Sequence, residues 1–418
     1  MSSHDASFHL SDRRIRFDPG DPGFFQDPYP AYAGLHAAGG IAVWTEEHLV
    51  LVASHAGVSG LLRDRRLGRV LPIDEGTGRA LRTSPSGDLR HFDALEAHSL
   101  LELEPPTHTR LRGLVTRAFV SRAIERLAPR IETVAHELID AFPKGRVDLV
   151  EAFATPLPVA IIAELIGVHA AATPSLLAWS HAMVEMYRPN PDAATRKAAD
   201  EASRDFGDLL RGTIAERRRT PRGDLVSHLI AAEEDGGRLD EDEMVSTLVL
   251  LLNAGHEATV HQIGNGVRAI AEAGLSGAAL FASETSSAAT VEEMLRFDTP
   301  LHLFKRLALE DFEIAPGWRL RRGDGVGLLL GAANRDPAVY DEPGAFRPDR
   351  YRSTRAAPAH VAFGGGIHFC LGAPLARLEL SLALRVLYER LPQIAIADAP
   401  RVRNSWHFRG LERLDVRF

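Results

Sequence analysis

The sequence predicts a mainly α-helical fold with small β-sheets attached. Three observations predict it. From about Pro105 to Leu391, apolar residues recur at helical spacing between Pro and Gly breaks. Short zones rich in β-branched and apolar residues precede, interrupt and follow that stretch. One helical pattern, starting near Asp240, is far longer than most soluble domains need.

Taken in order, Asp27-Pro28-Tyr29-Pro30 reads as a turn. Ile41 to Val52 reads as a β-hairpin around Glu46-Glu47. Ala123 to Phe142, Ala199 to Arg218 and Ala288 to Phe297 are amphipathic helix patterns. Between them, Asp240 and Glu243 form a capping box, each side chain placed to take an orphan N–H at a helix start. The pattern then runs to Ala273, and Gly274 is a natural stop. That is roughly 33 residues, or about 50 Å of helix. Its centre, Asn253-Ala254-Gly255-His256-Glu257, sets polar groups and a glycine in an apolar rod. Glycine there costs about 1 kcal/mol relative to alanine. Either two helices pack closely at Gly255, or the helix passes close over a flat ligand. Lys305 to Leu330 reads as strands with Gly317, Gly323 and Gly325 as turns. Ala373 to Arg390 is helical, and Gln393 to Phe418 returns to short strands. No boundary signal divides the chain, so one domain over 1–418 is expected, strand-rich over about 1–75 and with a helical core over about 105–391.

Composition narrows the function class. The 418 residues are 45% hydrophobic and 25% charged, with a formal net charge of −8. An overall acidic chain does not wrap nucleic acid through a global basic field. No apolar run reaches membrane-spanning length, and Met1 to Arg16 lacks the pattern of a signal peptide, so a cytoplasmic chain with no membrane contact is expected. Cys370 is the single cysteine, which excludes an intramolecular disulfide and a cysteine-rich zinc site.

That cysteine lies in Phe363-Gly364-Gly365-Gly366-Ile367-His368-Phe369-Cys370-Leu371-Gly372. Consecutive glycines permit backbone shapes and close approaches that other residues forbid. A thiol just before a helix is favoured as thiolate by backbone N–H groups and the positive end of the helix dipole. Such a loop suits a soft metal held at an open face.

The Phe-x-x-Gly-x-x-x-Cys-x-Gly pattern resembles the haem-binding loop of the cytochrome P450 family, in its soluble bacterial type. The resemblance extends along most of the chain. Glu293-Met294-Leu295-Arg296 matches the family's Glu-x-x-Arg helix, and Phe346 to Arg350 looks like the segment that supplies its third partner. His108-Thr109-Arg110-Leu111-Arg112 is similar to a haem-contacting helix start, and Ala254 to Thr259 to the distal oxygen-binding helix.

The resemblance implies the P450 fold, with haem b between a long distal helix and the helix after the Cys370 loop. Cys370 is then the iron ligand, Phe363, Gly366 and Gly372 shape the loop, and Gly255 lies against the cofactor. His108, Arg112, Arg306 and His368 match the positions that meet the haem propionates, because a buried carboxylate needs cationic or donor partners. Glu293, Arg296 and Arg350 form a buried structural network. The reaction implied is monooxygenation with O2 and electrons from NAD(P)H, since a thiolate ligand favours O–O cleavage.

One position departs from the family. Glu257 supplies the usual acid, but the alcohol position after it is Ala258, and Thr259 is turned by about 100°. A substrate hydroxyl or ordered water then fills the gap; alternatively the enzyme uses peroxide, or performs an unusual oxidation such as desaturation or ring formation. A haem sensor or carrier without turnover is the reading from another class. A zinc-protease reading of His256, Glu257 and His261 fails, because residues five apart diverge by roughly 140° on a helix.

By position in the family, an apolar pocket for a small organic substrate is expected from the loop around Leu71 to His98, the helices around Leu176 to Tyr187 and Leu248 to Thr259, the segment Leu301 to Phe304 and the turn near Ser405 to His407. Leu251, Ala254, His302, Leu303, Phe304 and Trp406 are its candidate lining. A fused reductase is not expected, and a ferredoxin or flavodoxin with its own reductase is expected to donate to a monomer. Arg110, Arg117, Arg122 and Arg377 are its candidate docking charges.

Overall fold

The structure, a computed structural model, describes residues 8–71, 76, 87–119, 124–187, 191–234, 237, 239–352 and 357–418. Arg122 and most of the expected pocket loop between Leu71 and Gly87 lie outside these residues. The described helices include α1 (Tyr29–Ala37), α2 (Thr107–Ala118), α3 (Pro156–Ile166), α4 (Thr173–Val184), α5 (Ala193–Arg219), α6 (Glu241–Glu272), α7 (Glu284–Phe297) and α8 (Ala373–Arg390). The chain forms two compact units. One takes Met1–Gly68, Ile131–Pro156 and Ala258–Phe418 and carries every described strand; the other takes Arg69–Arg130 and Leu157–Glu257 and is helical.

The first unit is built on a seven-stranded sheet. Its strands are β1 (Phe8–Ser11), β2 (Arg14–Phe17), β3 (Ile41–Trp44), β4 (Leu49–Val52), β5 (Leu67–Gly68), β7 (Leu303–Ala308) and β10 (Gly325–Leu329). The short strand β6 (Arg146–Asp148) joins a separate sheet with strands from the C-terminal segment, and β8 (Phe312–Ala315) with β9 (Trp318–Leu320) makes a hairpin. The large sheet has the order β1-β2-β3-β4-β10-β7-β5. The expected hairpin at 41–52 is β3 against β4, with His48 in the left-handed region at the turn (φ 50°). Strand β10 runs parallel to β4 and antiparallel to β7, which sets Val326 opposite both Val50 and Arg306. Gly317 (φ +73°) and Gly323 (φ +95°) are the turns the sequence marks. Gly325 is not a turn: it opens β10 opposite Leu307, and a Cβ there would meet Leu49 Cδ1 at 2.7 Å. In the Asp27–Pro30 segment, Asp27 and Pro28 connect a short helix over Pro22–Gln26 to α1, and Tyr29 and Pro30 already belong to α1.

Helix α6 forms where the capping box and the glycine stop place it. The Glu243 N–H donates to Asp240 Oδ1 at 2.8 Å, and the Asp240 N–H donates to Glu243 Oε2 at 3.2 Å. At the far end Gly274 takes φ +65°, and the Leu275 N–H donates back to Ile270 O at 3.1 Å. In the second unit, Asp200 of α5 accepts the N–H groups of His91 and Phe92 at 2.6 and 3.0 Å, satisfying the start of a short helix over Arg90–Glu96. Ser246 of α6 donates to Leu95 O at 2.6 Å. Among the described residues, no helix is long and apolar enough to cross a membrane.

Candidate active site

The Cys370 loop is shaped by its glycines. Gly364 (φ +69°) and Gly366 (φ +67°) are left-handed, a conformation costly for residues with a Cβ. A Cβ at Gly366 would lie 2.3 Å from Leu62 O, and one at Gly364 would lie 2.8 Å from Phe304 Cε2. The loop therefore closes tightly on its own unit. The Cys370 N–H donates to Phe363 O at 3.0 Å, and α8 starts three residues later with Gly372 as its N-cap. Cys370 is half-buried, and Ile367 and Phe369 just before it are exposed.

Two adjacent acids of α7 serve two networks in the same unit. Arg296 and Glu293 pair in bidentate fashion at 2.7 Å, with both side chains fully shielded from water. Arg296 also donates to the carbonyls of Asn334, Pro343 and Ala345, and the Arg347 N–H donates to Glu293. Arg350 Nε stands 3.4 Å from Glu293 Oε2, while its guanidinium donates to Asp341 O and Glu342 O. Glu292 faces the Cys370 loop. It accepts two bonds from Arg377, at 2.6 and 3.1 Å, and lies 3.2 Å from His360 Nε2. Burial raises its carboxyl, but His360 and Arg377 outweigh it and hold the group down at about 2. Arg377 also lies over the Phe363 ring, 4.5 Å from its centroid. Arg377, itself half-exposed, thus braces the loop through that ring. Arg110 is likewise paired, with Glu243 at 2.6 Å. Of the expected docking charges, these two are tied to acids of their own units.

At the centre of α6, a Cβ on Gly255 would meet Ile162 Cγ1 of α3 at 2.8 Å. The close approach this glycine permits on that face is between helices. Glu257 and Thr259 are buried, whereas Ala254 is exposed and Ala258 half-buried, one turn apart on a helix that is otherwise largely covered. Leu251 is buried on the same helix.

His108 and Arg112 sit one turn apart on α2. His108 is buried, and that burial, with Arg112 beside it, holds its imidazole down at about 4. Arg306 is buried on β7 and His368 is half-buried in the Cys370 loop.

Two expected pocket residues belong to the core instead. His302 is fully buried, with Nδ1 at 2.8 Å from the Tyr32 hydroxyl. Trp406 donates to the same hydroxyl at 2.6 Å and packs edge-on to Phe17, Phe24 and Trp44. Burial, then Arg409, pushes His302 down to about 3, so it is a neutral packing residue. Leu303 packs against that same aromatic core, and Phe304 meets Gly364.

The family model described as Cytochrome P450 matches residues 287–391. The polyketide biosynthesis cytochrome P450 PksS of Bacillus subtilis is 36% identical over 371 residues, 88% of each chain. The chain belongs to the cytochrome P450 family. The cytochrome P450 monooxygenase PikC of Streptomyces venezuelae is 36% identical over 413 residues, 94% of this chain and 92% of that one. Among solved structures, P450BioI in complex with a hexadecenoyl acyl carrier protein superposes with a TM-score of 0.84 at 31% identity, covering 94% of this chain and 99% of that one. This P450 is accordingly a monooxygenase-type oxidoreductase of a family that uses haem and O2.

In each unit taken by itself, the residues present suit a haem. The donor set holds one thiol, in a loop whose left-handed glycines leave no room for side chains. His108, buried, and Arg112, half-buried one turn on, place two cation-capable groups together on α2, a pair suited to an anion such as a propionate.

Proposed function

We propose that this P450 oxidises an apolar small organic molecule, with electrons from NAD(P)H delivered by a separate ferredoxin or flavodoxin and its reductase. Cys370 is the proposed iron ligand, and the geometry of its glycine loop before α8 carries the reading. His108, Arg112, Arg306 and His368 would hold the propionates, and Phe363, Gly366 and Gly372 would shape the seat. The reading takes the chain as one catalytic domain, a monomer of the cytoplasm. The name of PksS, a relative from polyketide biosynthesis, supports an apolar carbon-chain substrate.

When bound, the haem supplies reductive activation of O2. The protein supplies position and protons. Glu257, buried beside the partly exposed His181 side chain, would pass on the proton to be delivered. Ala258 has no hydroxyl to order a water beside it. A substrate hydroxyl or bound water takes that part, and Thr259 supports it from the next position. The missing alcohol also favours a second reading, peroxide use or an atypical oxidation such as desaturation or ring formation.

A substrate screen by optical spectroscopy tests the proposal, because ligands that displace water from the iron change its spin state. Product formed per NAD(P)H consumed then separates the two readings. Strong uncoupling with every substrate, alongside efficient peroxide-driven turnover, would favour the second. The ferrous carbonyl complex should show the red-shifted absorption of sulfur ligation, and Cys370→Ser should abolish it.

A further inference from the structure

We propose that His181, His256 and Glu257 form a binding site for a divalent cation of borderline softness, Zn2+ above others. Nothing in the family resemblance or the relatives' names assigns such a site. His181 stands on α4, while His256 and Glu257 are adjacent on α6, all within the helical unit. One nitrogen from each imidazole and one carboxylate oxygen lie within 4.8 Å of one another. Each Nε2 is 3.8 Å from Glu257 Oε2.

The tautomers suit a metal. His256 Nδ1 is 2.7 Å from Leu252 O, one turn back. A carbonyl only accepts, so Nδ1 carries a ring proton, and in the neutral ring Nε2 then has the lone pair a metal takes. A second-sphere bond of this kind orients metal-binding histidines and raises their basicity. The frame is set by the same two helices: Asn253 Nδ2 donates to Met183 Sδ at 3.7 Å, which seats α4 on α6 beside His181.

Zinc takes imidazole at about 2.0–2.1 Å and carboxylate at about 2.0–2.2 Å, which draws tetrahedral ligands to about 3.3 Å from one another. Small side-chain rotations close the observed gaps. Two imidazoles and a carboxylate leave the fourth position open to water. Access is from the His181 side, since that side chain is 47% exposed and the Glu257 side chain 5%. A second cluster, His98 with Asp240 and Glu243, is a poorer candidate. Its carboxylates already cap α6, and Glu243 pairs with Arg110.

The consequence for catalysis rests on the proposed function: a zinc-held Glu257 cannot pass its proton, so zinc should inhibit coupled turnover. The site itself is tested without turnover. Zinc chloride is titrated calorimetrically into the haem-loaded enzyme, and the bound metal is read by zinc K-edge absorption. The expected result is one tight zinc per chain with imidazole and carboxylate ligands. His181→Ala and His256→Ala should each weaken binding by about tenfold or more. His181→Cys should retain the metal and add a sulfur at about 2.3 Å. Haem content and the carbonyl spectrum report whether each variant is folded. Equal affinity in wild type and His181→Ala, no zinc uptake by the folded wild type, or an edge spectrum without imidazole would overturn the proposal. An enzyme that turns over nothing yet gives the expected titrations would sink the monooxygenase reading and leave the site standing.

Discussion

Glu379 lies on α8, buried, with neither carboxylate oxygen in a hydrogen bond among the described residues. Burial raises its pKa well above the ordinary carboxylate value, so it is a neutral acid in the fold. Its folded pKa exceeds the unfolded value of about 4.3, so its contribution is fully present below that pH and is lost as pH rises towards the folded pKa. Thermal unfolding followed against pH should show wild type losing stability towards alkaline pH relative to Glu379→Gln. Parallel profiles for the two proteins would contradict this. Glu292 has the opposite sign. Its depressed pKa contributes stability above about pH 4.3 that is lost as pH falls towards about 2. At the proposed proton donor, Glu257→Gln should lower turnover by roughly 10²- to 10⁴-fold with substrate binding retained, as read from the spin-state titration. Ala258→Thr should raise product per NAD(P)H only if no substrate group already supplies the missing hydroxyl.

At the scale of elements, α7 supports the Cys370 loop from behind. Glu293 turns to Arg296 and the 334–347 segment, and Glu292 turns to the loop itself through His360 and Arg377. Removing one member of a buried ion pair typically costs about 3–5 kcal/mol, because the other charge is stranded. Arg296→Ala should therefore lower the denaturant midpoint sharply and leave little haem-loaded protein. Arg377→Ala is milder, since its pair is half-exposed. It should keep the fold but loosen the loop, visible as a fraction of the carbonyl complex that lacks the red-shifted band. Helix α6 was legible in detail, because a reciprocal cap at one end and a left-handed glycine at the other are local chemistry. The helix packing at Gly255 was legible only as one of two readings, because its neighbour Ile162 is 93 residues away in sequence and no local pattern records which helix approaches.

For the molecule as a whole, haem should act as a ligand of the native state. Anything that binds the folded chain alone stabilises it by mass action. The haem-free protein should melt at a lower temperature than the loaded one, and added haem should restore the difference in wild type but not in Cys370→Ser. The sequence by itself determined the mainly helical class, the long helix, the hairpin at Ile41 to Val52, the Cys370 loop and the acid–alanine pair at Glu257-Ala258. These are written in local periodicity, caps and a contiguous motif, so neighbours along the chain suffice to read them. Only the tertiary structure decided that His302 and Trp406 share the Tyr32 hydroxyl in an aromatic core, that Arg377 braces the loop through Glu292, and that His181 meets Glu257. Each of these joins side chains from separate elements, and the direction of a side chain in space is set by packing that no single segment encodes.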